Sequence, residues 1–395
     1  MDFGFSPENE ALRQQVRDFI NEHTTPELLA ELRAAPNNAE GATGPHLRKL
    51  RQEVFETGWL AASWPKEYGG LDMDRVDQFI VEEAFTRARI GVGMGATFEQ
   101  AGAIMAAGTE EQKRYFLPRM LTGEITFAMG YTEPTGGTDL ASLQTRAQAD
   151  GDDFLINGQK MYCSAAHYAS HVYLMTRTDP DLPKHRGISI FLVPMDTPGI
   201  SFTPLWTLPG GRTNMLYLDN VRVPRTAMLG ELNRGWYVGA AALNLGRGGA
   251  TRYYEYVEEL EHLLAYLTTA TFAGRSLADE PEVRDRLAEL YCEAQVCRLF
   301  LWRNISFEQR GINPPYEISS QKLWGPEFWV KASQAITQVL GPYAQLTGAS
   351  ELAPEDGWYV KKYVGAARGT FAHGGVQVMR NQIAKRGLGL PTGIG

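Results

Sequence analysis

Cysteine is scarce in this sequence: Cys163, Cys292 and Cys297 are the three in 395 residues. They form no C-x-x-C pair, which argues against a cysteine-based zinc site and against a disulfide framework. All three are expected as reduced thiols in a cytoplasmic protein, and no metal site is expected. Basic charge is also short. Lys and Arg number 38 against 46 Asp and Glu, a net charge of -8 with no basic run, so nucleic acid is not the expected partner. No apolar run approaches the ~18 residues of a membrane span. The opening MDFGFSPENEALRQQ is polar and acidic, which predicts no secretory leader. Internal repeats and low-complexity tracts are absent.

What is present is material for a large core. Hydrophobic residues are 44% and charged residues 21% of the chain, which suits one large domain or two to three packed ones. Three zones follow. Residues 1–124 read as helical: Ser6 is placed to cap a helix with Pro7 in its first turn, and Leu12, Val16, Phe19 and Ile20 share one face. Further helices are expected over 45–58, 76–87 and 110–121, with a break at Trp64–Gly70. Residues 125–231 read as strands. Asn157-Gly158 between DDFLI and QKMYCS predicts a tight hairpin turn, and 171–176, 188–193 and 215–223 are rich in β-branched and aromatic residues. Residues 232–395 return to long helical periodicity over 240–267, 282–310, 319–340 and 358–371.

The sharpest motif is Met129-Gly130-Tyr131-Thr132-Glu133-Pro134-Thr135-Gly136-Gly137-Thr138-Asp139. Adjacent glycines between hydroxyl residues allow close backbone approach and leave amides free for a ring edge or a phosphate. The plain alternative is a polar turn from helix to strand. Some 25 residues on comes Asn157-Gly158-Gln159-Lys160-Met161-Tyr162-Cys163-Ser164. Together with Trp64–Gly70, Val221-Arg222-Val223-Pro224, Gly235-Trp236 and the ending Arg386–Pro391, these segments resemble the acyl-CoA dehydrogenase family over nearly the whole chain. Gly91-Val92-Gly93-Met94-Gly95-Ala96 mimics a dinucleotide-binding spacing, but it follows a helical pattern rather than a strand, so that reading fails. The resemblance puts it near the acyl pocket.

The resemblance implies an α+β fold: an N-terminal helical domain, a middle β-barrel-like domain and a C-terminal four-helix bundle. It implies FAD held by Met129, Tyr131, Thr132, Gly137, Thr138, Tyr162 and Ser164, with Tyr162 where the family usually has tryptophan. Gln338-Val339-Leu340-Gly341-Pro342-Tyr343-Ala344 resembles an adenine-side segment, giving Gln338 and Gly341, and Gln377 joins them; Ala344 stands at the last glycine. Thr269 stands where many members have an arginine that reaches a neighbouring subunit's flavin. Asn244 and Arg247 are implied at the thioester. The implied partners are an acyl-CoA or related thioester and an electron-accepting flavoprotein.

The base is the departure. In the family a carboxylate takes the α-proton as hydride leaves the β-carbon, because a thioester α-hydrogen is a weak acid. One family position precedes the arginine of Leu243-Asn244-Leu245-Gly246-Arg247 and is Gly246 here; the other falls on His373 in Ala372-His373-Gly374-Gly375. On a continuous helix, Glu255 lies opposite Gly246, and Tyr253 lies on its face about 10 Å along the axis. His373 reads either as a surrogate base or as a loop histidine. Lys184–Ser189 and Arg212-Thr213-Asn214 look most like the bacterial branch acting on bulky, steroid side-chain acyl-CoA esters, where enzymes are often built from two related chains and one lacks the base. Three functions remain open: the base-lacking subunit of a heterotetramer, a homotetrameric or otherwise stand-alone enzyme with changed chemistry, and a noncatalytic scaffold.

Overall fold

The computed structural model describes residues 5–34, 44–92, 98–247, 250–272, 274–312 and 316–391. Two compact units divide the chain. The first takes residues 1–78 and 91–246, and the second takes 79–90 and 247–395.

The first unit begins with α1 (Pro7–His23), α2 (Pro26–Ala34) and α3 (Pro45–Glu56). Ser6 caps α1 as expected, accepting from the Asn9 amide at 3.2 Å, and Leu12, Val16 and Ile20 are its buried stripe. The break at 64–70 holds one short 3-10 turn, Lys66–Tyr68. Next come α4 (Arg75–Arg87), α5 (Phe98–Ala107) and α6 (Glu110–Thr122). A capping box starts α6: Thr109 Oγ1 accepts from the Gln112 amide, and the Gln112 side chain accepts from the Thr109 amide. Helices α2 and α5 escaped the sequence reading.

Eight strands follow in one mixed sheet: β1 (Phe127–Gly130), β2 (Arg146–Asp150), β3 (Asp153–Lys160), β4 (His171–Arg177), β5 (Ile188–Pro194), β6 (Ile200–Trp206), β7 (Arg212–Pro224) and β8 (Met228–Leu229). The order is β6-β7-β3-β2-β4-β5-β8, with β1 alongside β4 in parallel. Strands β4 and β5 are buried along almost their whole length, which explains their continuous apolar runs.

The hairpin expected at Asn157-Gly158 is not there. Strand β3 runs straight through, and the turn lies at Gly151 (φ +63), between β2 and β3. Instead, two steps of β3 from Ile156 to Gly158 oppose three of β7 from Val221 to Leu218. The extra residue sits around Asn220 (φ +50), whose amide donates to Asn157 Oδ1 at 2.8 Å. Gly158 (φ +146) is glycine for a reason of space: a Cβ there would stand 2.7 Å from Thr145 Oγ1.

Helix α7 (Gly235–Arg247) ends the first unit. The helix expected over 240–267 is described as α7 up to Arg247 and as α8 (Ala250–Thr269) beyond, and residues 248 and 249 lie outside the described residues. The placement of Tyr253 and Glu255 relative to Gly246 runs through those two residues and so falls outside the described residues.

The second unit contains α8, α9 (Pro281–Gln309), α10 (Glu317–Leu340), α11 (Trp358–Ala366) and α12 (Val376–Gln382), together with the later turns of α4. Its core combines Val257, Leu260, Leu263 and Leu267 of α8 with Leu290 and Ala294 of α9 and with Phe328, Ala332 and Ile336 of α10. Tyr256 stacks on Trp329 at 5.1 Å. No helix among the described residues is long and apolar enough to cross a membrane, and no group of three or more His, Cys, Asp or Glu among them is placed to hold a metal.

Candidate functional site

The two sequence segments singled out above come together in the first unit. After β1, residues Glu133 to Gly136 close a tight turn through paired backbone bonds of 3.2 and 3.1 Å. The Thr132 carbonyl then accepts from the Met161 amide at 2.7 Å, which seats the glycine-rich loop against the residue before Tyr162.

A buried ion pair fixes that contact. Lys160 Nζ donates to Glu133 Oε1 at 2.8 Å and to the Tyr131 carbonyl at 3.2 Å. The two side chains are 0% and 4% exposed. The Glu133 carboxylate also accepts from the amides of Gln144 (2.6 Å) and Thr145 (2.8 Å). Burial alone would raise the Glu133 pKa, but the Lys160 charge and these hydrogen bonds outweigh it and hold the carboxyl below its ordinary range. Neither residue had been given a role from sequence. The signal was available: Lys160 is buried on β3 with Phe154 and Ile156, and an inward-facing lysine demands a buried anion.

Past Lys160 the chain is strained and anchored. Tyr162 has φ +60 and Ala165 φ +69. Such left-handed backbone in a bulky residue costs about 1–3 kcal/mol and persists only where surroundings impose it. Asn214, fully buried, does so: its carbonyl accepts from the Cys163 amide at 2.9 Å, its Nδ2 donates to the Cys163 carbonyl at 3.0 Å, and Nδ2 lies 3.1 Å from His167 Nδ1. Burial pushes the Cys163 thiol up to about 12, so it is no nucleophile. The outcome is a Tyr162 ring that is 58% exposed beside an exposed Ser164, whose hydroxyl is 3.4 Å from Thr213 Oγ1. Gly137 and Thr138 are exposed as well, and Met129 is half-buried. The Tyr131 ring, by contrast, is buried. Asn214→Ala is expected to destabilise the protein by about 1–3 kcal/mol, since it strands buried partners. Thermal melting and the flavin-to-protein ratio after gel filtration check this; an unchanged ratio would mean the anchor does not shape the surface.

Asn244, Gly246 and Arg247 lie within α7, but their side chains fall outside the described residues, as does part of the 91–96 segment. In the second unit, Gln338 is exposed and accepts from Arg286 Nη2 at 2.7 Å. Gly341 adopts φ +58 just after α10, and Gln377 is exposed on α12. Ala344 is buried in the helical core and presents no surface. The Thr269 hydroxyl folds back onto the Tyr266 carbonyl at 3.1 Å. His373 is half-buried at φ +56, followed by Gly374 at φ +95. The buried Lys322 of α10 clips the turn before it, donating to the Gly369 carbonyl at 2.7 Å.

Comparison with known proteins decides the family. Three family profiles match in order: the acyl-CoA dehydrogenase N-terminal domain over residues 6–124, the middle domain over 128–221 and the C-terminal domain over 233–388. The chain belongs to the acyl-CoA dehydrogenase family. It is 35% identical to the acyl-CoA dehydrogenase FadE26 of Mycobacterium tuberculosis, over 99% of each chain. Among solved structures, it is similar to one described as the Tcur3481-Tcur3483 steroid ACAD (TM-score 0.87, 32% identity, 100% of each chain). It is also similar to the ChsE4-ChsE5 complex from Mycobacterium tuberculosis (TM-score 0.84, 34% identity, 100% of each chain). Members of the acyl-CoA dehydrogenase family are oxidoreductases acting on CH–CH bonds, and FAD is their cofactor and this chain's. The exposed Tyr162 ring on imposed backbone, beside the paired hydroxyls of Ser164 and Thr213, fits an isoalloxazine face.

Proposed function

We propose that this acyl-CoA dehydrogenase is the base-lacking subunit of a heteromeric enzyme that desaturates a bulky thioester of steroid side-chain type. The observation that carries it is Gly246, which offers no side chain directly before Arg247. The steroid description of one similar structure and the two-component description of the other support this reading. FAD supplies the hydride acceptor. The chain's own part is to hold the cofactor: Met129, Tyr131, Thr132, Gly137, Thr138, Tyr162 and Ser164 at the ring, and Gln338, Gly341 and Gln377 on the adenine side. Asn244 and Arg247 orient the thioester. Residues 1–124, 125–231 and 232–395 act as helical, flavin-loop and helical segments in a cytoplasmic tetramer that passes electrons to a second flavoprotein.

The test is purification from the native host with masses of all chains and cofactors. A homologous partner with glutamate at the Gly246 position, plus FAD, is expected. A homotetramer would sink the heteromer. One observation favours a second reading, in which His373 is the base of a stand-alone enzyme: its left-handed backbone beside Gly374 is the kind of strain stored at working sites.

A further inference from the structure

The first unit contains a polar cluster that the flavin surface does not use. Tyr131 and Tyr173 pack edge to face at 5.8 Å in the interior and are 8% and 0% exposed. Both hydroxyls are buried, and neither finds a hydrogen-bond partner among the described residues. Each hydroxyl carries one proton to donate and lone pairs to accept with. Both O–H groups are thus unmet, in a place where an unmet hydrogen bond costs about 1–3 kcal/mol. The buried carboxylate of Glu99, in the first turn of α5, stands close enough for its charge to act on both phenols. Phenylalanine in either tyrosine's place would fill the same volume without that cost.

The cluster has a fixed relation to α7. A Cβ on Gly239 would stand 3.7 Å from Tyr131 Oη and 2.4 Å from Met175 Cε. The glycine thus leaves a slot on this face of α7 that the flexible Met175 side chain fills. Gly239 and Gly246 are seven residues apart, so they share a face and lie about 10 Å apart along the axis. Methionine, unbranched and adaptable, is the side chain most able to yield that slot to a ligand.

We propose that Tyr131 and Tyr173, backed by Glu99, form a receptor for a hydroxyl or ketone oxygen on the acyl skeleton, about 10 Å from the reacting carbon. This rests on the reading above that the Gly246 face of α7 meets the thioester. The chemistry suits both oxygens: a phenol donates to a ketone or a hydroxyl, whereas the carboxylate accepts only from a hydroxyl. The recognised substrate is then a large apolar skeleton with one oxygen at its far end, and a plain hydrocarbon tail leaves the cluster unmet.

The experiment titrates the FAD-loaded native assembly with two polycyclic acyl-CoAs that differ only in that oxygen, reading the flavin absorbance. The oxygenated compound is expected to bind about tenfold more tightly, the worth of one well-made hydrogen bond. Tyr173→Phe should erase that preference. Glu99→Gln should weaken the preference for a hydroxyl and spare that for a ketone. Equal binding of the pair, or a preference that survives both substitutions, overturns the receptor alone. If neither thioester perturbs the flavin, the thioester reading itself falls and takes the receptor with it.

Discussion

Glu133→Gln is expected to destabilise the protein by about 3–5 kcal/mol, because it leaves the Lys160 ammonium buried beside a neutral amide. Glutamine keeps one acceptor for the amides of Gln144 and Thr145, but its NH2 group turns a donor toward another donor. The loop should then leave the Met161 amide, and FAD should dissociate at lower temperature. Substituting both partners, Glu133→Gln with Lys160→Met, is expected to cost less than the first change alone, since the stranded charge is gone. The pH dependence follows the sign of the shift. The folded-state pKa of Glu133 lies below the ordinary value, so its contribution is whole above about pH 4.3, the unfolded value, and is lost as pH falls through the folded one. Acid unfolding of the unsubstituted protein should show this loss, and that of Glu133→Gln should not. Equal acid sensitivity would remove Glu133 from the account.

Flavin reduction by butyryl-CoA or octanoyl-CoA is expected to be slower with this chain alone than with the complete complex by ~10²–10⁴-fold, the usual worth of a general base. The side chain that would take the α-proton is missing at Gly246. His373→Gln should leave the residual rate where it was. A further loss of ~10²-fold with FAD retained would instead assign the base to His373. Its signature would be a rate that falls as pH drops through an imidazole ionisation, because the protonated ring accepts nothing. Rapid reduction by the chain alone, unaffected by that substitution, would defeat both accounts.

What the sequence disclosed was local. The Ser6 cap, the glycine loop and the buried β4 and β5 runs each write their cause into neighbouring residues. Asn157-Gly158 misled because a tight turn and a strand opposite a bulge make the same demand, a residue tolerant of unusual φ. Only the approach of Thr145 distinguishes them, and that is a contact across strands. The anchors of the flavin surface were hidden for the same reason. Glu133 and Lys160 are 27 positions apart, and Asn214 reaches back 51 positions to Cys163. Nor does the sequence around Tyr131 indicate that its ring turns inward onto Tyr173, which lies 42 positions on.

Helix α4 belongs to both units: Arg75–Gln78 to the first, and from Phe79 onward to the second. Within the second unit, Phe79 meets Trp302 edge-on at 4.6 Å, and Arg87 pairs with Glu258 at 3.0 Å and Glu261 at 3.6 Å. The order of synthesis is therefore not the order of completion. Phe79, Ile80 and Val81, each 0% exposed in the finished protein, leave the ribosome long before Trp302 is made. At ~5–20 residues per second that interval lasts tens of seconds at the slower rate and about ten at the faster. During it, the apolar residues of α4 are without the Trp302 side chain against which Phe79 packs in the finished protein.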